Sequence, residues 1–179
     1  MYLNLREKKI LGVDVDGVQR NMIDSLIETY SKTNSDGVKE HDEVREWDLK
    51  KSFPNIRLPT HFYEWAKPLF SESKPYEGAL EFMEELSDIG KIHIVTNQLR
   101  GLEHHTLDWL SSHNIPYEGI HFGENKTVFK GDVLIDDHTK NIYGFQGRGI
   151  LLDRPWNQDF RGYRVKSFDE IVDTIKNLS

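Results

Sequence analysis

The stretch ILGVDVDGVQRN, residues 10–21, decides the fold. Ile10, Leu11, Val13 and Val15 make Lys9 to Val15 a nearly continuous apolar run, the signature of a parallel strand covered on both faces. Asp14 and Asp16 then stand at the C-terminal end of that strand, and Gly17 follows them. Met22, Ile23, Leu26, Ile27 and Tyr30 recur at helical spacing, which predicts a helix of about three turns ending near Asn34 to Gly37.

Beyond Pro75 the same alternation continues. A helix is predicted from Glu77 to Ile89, stopped by Gly90, then a strand from Lys91 to Thr96 and a helix through Leu102, Leu107, Trp109 and Leu110 that ends near His113 and Asn114. A short strand is read at Ile120 to Gly123 and a buried one at Asp132 to Asp136. A short helix at Thr139 to Phe145, a strand at Gly149 to Asp153 and a helix from Ser167, with Glu170 in the capping-box position, complete the pattern. Strands and helices alternating at this length predict an α/β fold, a parallel sheet with helices on both faces. Residues 35–73 break the rhythm: charged and aromatic residues mix, Pro54 and Pro59 interrupt, and only Thr60 to Phe70 reads as a helix. The chain therefore divides into a core, 1–34 and 74–179, and an inserted cap, 35–73.

In such sheets the working site lies beyond the C-terminal strand ends, near the switch in strand order. Three predicted ends carry polar groups: Asp14 and Asp16, Thr96 and Asn97, Asp136 and Asp137. Four carboxylates at one sheet edge repel one another unless a cation sits among them. Mg²⁺ suits them, being hard and accustomed to pairing carboxylates with a substrate phosphate. No histidine cluster at zinc-ligand spacing competes, and His138 reads as a loop residue. Against a metal-held phosphate, Asp14 can act as a nucleophile and Asp16 as a proton donor and acceptor, with Gly17 allowing close approach; Thr96 and Lys126 supply further phosphate contacts.

Composition narrows the classes. At 179 residues with 37% hydrophobic content, one well-buried core plus an insertion is expected. With no cysteine, disulfides, thiolate nucleophiles and Cys-based zinc sites are excluded, which fits a reducing cytoplasm. No apolar run approaches the roughly 20 residues that span a bilayer, and MYLNLREKKI lacks the core of a signal peptide, so a soluble cytoplasmic protein without membrane contact is expected. A net charge of -7 argues against a stable nucleic-acid complex while permitting a small anionic substrate.

The order DVDGV (14–18), VTN (95–97), a lysine, then LIDD (134–137) resembles the haloacid dehalogenase superfamily of phosphotransferases. Within it, NKTVFKGDVLIDDHTKNI (125–142) and RPWN (154–157) resemble the 5'(3')-deoxyribonucleotidase family, which selects Lys126 over Lys130. The resemblance implies a Rossmann-like core with a small helical cap, Mg²⁺ dependence and hydrolysis of nucleoside monophosphates. It implies Asp14 as nucleophile and metal ligand, Asp16 as acid/base with a metal-binding backbone carbonyl, Thr96, Asn97 and Lys126 around the phosphate, and Asp137 as metal ligand beside Asp136.

Gln19 and Arg20 depart from the apolar residues usual after DVDGV, and the cap follows the family only weakly. Trp47 (in EWDL), Phe62, Tyr63 and Trp65 are the cap aromatics able to stack on a base, Trp47 foremost; each alternatively fills the cap's own core. Arg20, Arg100 and Arg154 could contact phosphate or sugar, but the commoner reading, exposed and salt-bridged arginines, is favoured for them. Rival functions are a phosphatase for sugar phosphates or polynucleotide 3'-ends, and a non-catalytic phosphate-binding protein. The exposed cap aromatics would permit a homodimer, though nothing in the sequence requires one.

Overall fold

The computed structural model describes residues 8–178; residues 1–7, where the missing signal-peptide core was read, lie outside it. Five parallel strands form one sheet: β1 (Lys9–Val13), β2 (Gly90–Thr96), β3 (Gly119–Phe122), β4 (Val133–Asp136) and β5 (Arg148–Leu151), in the order β3-β2-β1-β4-β5. β1 is central, Val13 aligning with Ile94 on one side and Ile135 on the other. The chain steps outward from β1 through β2 to β3, then crosses back to β4 and β5, so the order reverses between β1 and β4. Their C-terminal ends open the crevice in which such sheets bind ligands.

Helices cover both faces, as the α/β expectation requires. Leu11, Val13, Ile92, Ile94, Val133 and Ile135 turn to one face, where α4 (Ala79–Ile89), α5 (Glu103–Ser112) and α7 (Phe168–Lys176) bring Phe82, Met83, Leu86, Trp109, Leu110, Ile171 and Ile175. Val95 and Leu134 turn to the other, against Phe129 and Phe145, and α6 (Thr139–Ile142) lies against β4 and β5. Period-two alternation of side chains along each strand thus supplies two apolar faces from short runs. α7 starts on Ser167 Oγ, which accepts the Glu170 N–H, but Glu170 reaches back to the amide of Lys166, so the box closes one residue early.

α1 (Met22–Ser31) is capped by Asn21, whose side-chain oxygen accepts the Asp24 N–H. Residues 35–73 hold only short pieces: a 3₁₀ turn at His41–Glu43, α2 (Leu49–Ser52), α3 (Thr60–Glu64) and a π-helical turn at Lys67–Ser71. The helix expected from Thr60 to Phe70 is broken because Pro68 has no amide to donate and its ring crowds the preceding turn. Val44, Leu49, Phe53, Ile56, Leu69 and Phe70 of this stretch pack on Met22, Ile23, Leu26 and Tyr30 of α1 as one apolar cluster. No helix among the described residues is long and apolar enough to cross a membrane.

Candidate active site

Beyond Val13 the chain leaves β1 and turns back on itself: the amides of Gln19 and Arg20 both donate to the Val15 carbonyl, and Gly17 N–H donates to that of Arg20. Gly17 has φ +80°, and a Cβ there would collide with the carboxylate of Asp137. Only glycine lets the loop after β1 lie this close to the end of β4.

Three carboxylates meet in the resulting crevice, with ligand atoms of Asp14, Asp136 and Asp137 all within 4.8 Å of one another, and all three residues buried. Lys126, on a 3₁₀ turn at Lys126–Val128, places its ammonium 2.6 Å from Asp14 Oδ2 and 2.9 Å from Asp136 Oδ2. Lys130 is exposed, so Lys126 is the lysine that reaches the carboxylates. Asp136 is saturated, since Oδ1 accepts the His138 amide at 2.7 Å and the Asn141 side-chain amide at 3.0 Å. Asp137 is not: Oδ2 accepts from Trp156 Nε1 at 2.8 Å, but Oδ1 is buried without any hydrogen-bond partner among the described residues.

Three ionised carboxylates and one ammonium leave two negative charges uncompensated in a buried site. Burial, with Asp136 and Asp16 adding repulsion against the pull of Lys126, raises Asp14 to about 7. Burial and the neighbouring Asp136 and Asp14 push Asp137 well above the usual carboxylate range. Burial alone would depress Lys126, but Asp136 and Asp14 outweigh it and hold the ammonium firmly charged. A hard divalent cation fits this set: it would supply the missing two charges, and the orphaned Asp137 Oδ1 would be a ligand to it.

The carboxylates open onto a cavity of about 450 Å³ lined by Asp14, Asp16, Thr96, Asn97, Lys126 and Asp137 on the sheet side and by Trp47, Phe62 and Phe70 opposite. Thr96 is buried at the end of β2 and Asn97 follows it, exposed to the cavity. Trp47 stacks on His138, with ring centroids 4.5 Å apart. Tyr63 and Trp65 do not line the cavity: Tyr63 Oη donates to the Arg100 carbonyl, and Trp65 stacks on His61.

Two expectations need correction. Of the four carboxylates expected to converge, that of Asp16 stands apart from the other three, and both its oxygens are held by Arg20 at 2.8 Å. Arg20 is not an exposed arginine but fully buried. Arg154 is half-buried, donating to the Gly17 carbonyl and lying over the Tyr76 ring. Sequence reading also missed the supporting shell of Trp156, Asn157, Asn141 and Gln19. RPWN was visible as a motif, but its tie to Asp137, through Trp156 Nε1 and the Asn157 amide on the Asp137 carbonyl, exists only in three dimensions.

The sequence model of the family "5' nucleotidase, deoxy (Pyrimidine), cytosolic type C protein" matches residues 8–178. A 5'(3')-deoxyribonucleotidase of Bacillus subtilis is 29% identical over 172 residues, covering 92% of this chain and 96% of that protein. One from Clostridium acetobutylicum is 26% identical over 162 residues, covering 84% and 85%. Among solved structures, a haloacid dehalogenase-like protein from Streptococcus pneumoniae matches with a TM-score of 0.64 at 13% identity, over 93% of this chain and 98% of that one. A HAD-hydrolase from Bacillus subtilis, solved bound to magnesium, matches at 0.60 and 13%, over 97% and 100%. The structural likenesses carry the fold and the family match carries the kind of enzyme: the chain belongs to the cytosolic type C deoxy-5'-nucleotidase family and is a phosphatase of haloacid dehalogenase fold.

Proposed function

We propose that this protein hydrolyses deoxyribonucleoside 5'- or 3'-monophosphates with Mg²⁺, through an aspartyl phosphate on Asp14. The observation that carries the reading is the buried Asp14–Lys126–Asp136 bridge beside Asp137, whose Oδ1 has no partner in the described protein. Asp14, Asp137 and the Asp16 backbone carbonyl would hold the cation, with Asp136 beside them fixing Lys126. When bound, Mg²⁺ supplies positive charge that keeps Asp14 ionised and offsets the charge of the phosphate.

Asp14 attacks phosphorus, forming the carboxylate–phosphorus bond as the ester bond to the nucleoside oxygen breaks, and Asp16 gives that oxygen its proton. Water then attacks the aspartyl phosphate, yields its proton to Asp16 and releases inorganic phosphate and the free Asp14. Lys126, Thr96 and Asn97 hold the phosphate oxygens, for transfer of this kind depends on positioning and charge stabilisation. The core, 1–34 and 74–179, performs the chemistry, and residues 35–73 act as a cap; Trp47 and Phe62 offer π-faces for the base in a cavity whose volume suits a small ligand. With no cysteine in the chain, we place the enzyme in the cytoplasm.

The test is phosphate release from ribo- and deoxyribonucleoside 5'- and 3'-monophosphates, sugar phosphates and a 3'-phosphorylated oligonucleotide, with Mg²⁺ and with EDTA. Magnesium-dependent preference for deoxyribonucleoside monophosphates is expected. Preference for a sugar phosphate or the oligonucleotide would overturn the substrate assignment, and full activity in EDTA would overturn the metal.

A further inference from the structure

The guanidinium of Arg20 has no place in the chemistry above, yet it is fully buried and each of its three nitrogens has a partner. Nε and Nη2 form a two-point pair with the Asp16 carboxylate, both at 2.8 Å, Nη1 donates to the Phe70 carbonyl, and Nη2 also reaches Thr106 Oγ1 at 3.2 Å. The cation lies 5.3 Å from the centroid of the Phe70 ring and 5.5 Å from that of Trp109, both buried. Burying an arginine is costly unless its charge is paired and its nitrogens are hydrogen-bonded, and a planar fork on a carboxylate fixes the partner's rotation as well as its place. Asp16, which lines the cavity, has its side-chain orientation set by this one pair among the described residues.

We propose that Arg20 is a positioning residue that aims the Asp16 carboxylate at the leaving oxygen. It is anchored from two sides, by Phe70 in the 35–73 insertion and by Thr106 on α5, so the orientation of Asp16 depends on both the core and the insertion. Thr106 Oγ1 also accepts from Gln98 Nε2 at 3.1 Å, tying the same anchor to a residue of the cavity wall. This rests on the reading of Asp16 as the proton carrier. A merely structural ion pair would hold the loop after β1 and would slow all substrates alike.

The experiment compares kcat/KM with Mg²⁺ for Arg20→Lys, Asp16→Asn and the double variant, on a deoxyribonucleoside 5'-monophosphate and on p-nitrophenyl phosphate, with circular dichroism to check the fold. Lysine keeps the charge but lacks the fork. A nucleoside alkoxide needs a proton to depart, whereas p-nitrophenolate leaves without one. Arg20→Lys is expected to lower kcat/KM about 10–100-fold for the nucleotide and under about 3-fold for p-nitrophenyl phosphate, with no added loss in the Asp16→Asn background. Equal losses on both substrates, an undiminished loss in the double variant, or unchanged rates would overturn the proposal. Should Arg20→Lys not fold, Thr106→Val loosens one anchor, and a loss of about 2–5-fold confined to the nucleotide is expected; an unbiased loss or none overturns it. Full nucleotide turnover by Asp16→Asn would overturn the proton-carrier reading as well, while impaired Asp16→Asn beside unimpaired Arg20→Lys would overturn Arg20 alone.

Discussion

Lys126 is 4% exposed and bonded to two carboxylates, whereas Trp47, across the same cavity, is 39% exposed and rests its ring on His138. The sheet side of the cavity is built from directed contacts: each charged atom of Asp14, Lys126 and Asp136 has a partner at hydrogen-bond distance, Asp14 Oδ1 accepting the Val15 amide, and the two carboxylates sit at the ends of central strands. The opposite wall is built from rings packed by shape, Phe62 and Phe70 on short helical pieces and Trp47 between two of them. A reacting phosphate tolerates little displacement, so the first wall must be rigid and electrostatically tuned. A base presenting a π-face tolerates more, so the second can vary in sequence without loss of chemistry.

Breaking the directed side has the largest expected effect. Asp14→Asn retains shape and removes the nucleophile, and turnover of nucleoside monophosphates should fall by about 10⁴-fold or more with the circular dichroism spectrum unchanged. Substantial phosphate release by this variant would sink the aspartyl-phosphate mechanism and leave the cavity's two walls without their proposed division of labour.

The tuning on that side also predicts a cost in stability. Asp14 is raised to about 7 and Asp137 is also raised well above the usual carboxylate range, so the metal-free native state binds protons that the unfolded chain has already released above that range. Stability should therefore be greatest at acid pH and decline as pH rises through about 7. Thermal unfolding in EDTA should show a midpoint that drops between pH 5 and 8, and added Mg²⁺ should flatten the drop. In EDTA at pH 8, Asp14→Asn should be more stable than the parent by about 1–3 kcal/mol, because it removes a buried charge while Asp136 still pairs Lys126. A midpoint that climbs over the same interval in EDTA would contradict this account of the cluster.

Trp156→Phe probes how the directed side is held. It keeps the ring and deletes the Nε1–H on Asp137 Oδ2, leaving that carboxylate with no side-chain donor among the described residues. Mg²⁺ affinity, followed by calorimetric titration, should weaken about 10–100-fold, the usual scale for a partner of a metal ligand. Unchanged affinity would mean Asp137 needs no such support.

What could be read from the sequence follows the same division. The run Ile10 to Val15 and its counterpart Val133 to Asp136 announce buried parallel strands, and a strand end fixes where the next side chains go; hence Asp14, Thr96 and Asp136 could be placed in one crevice. The parallel sheet and its helices could therefore be read from short apolar runs and their punctuation, and the family from the resemblance carried by DVDGV, VTN and LIDD. Arg20 could not, because a polar residue two steps beyond DVDGV looks like a surface position until Phe70 and Thr106, 50 and 86 residues away, close over it. Trp156 likewise meets Asp137 across 19 residues through a 3₁₀ turn whose place no local pattern specifies. The stretch 35–73 resisted for another reason: its pieces are too short to show a period, and Pro68 splits the one helix that had one.

The smallest expected effect lies on the packed wall. Trp47→Leu removes a ring that stacks on His138 and stands edge-on to Trp156, 5.8 Å between centroids, without touching any carboxylate. If the ring serves the base, KM for a deoxyribonucleoside monophosphate should rise about 3–10-fold while kcat holds, the pattern of lost uniform binding, and p-nitrophenyl phosphate, which has no base, should be unaffected. If the ring only fills space above His138, both substrates should shift together or not at all. A fall in kcat on both would go further and erase the distinction between the walls, because it would show the roof positioning the phosphate that the sheet side is proposed to hold alone.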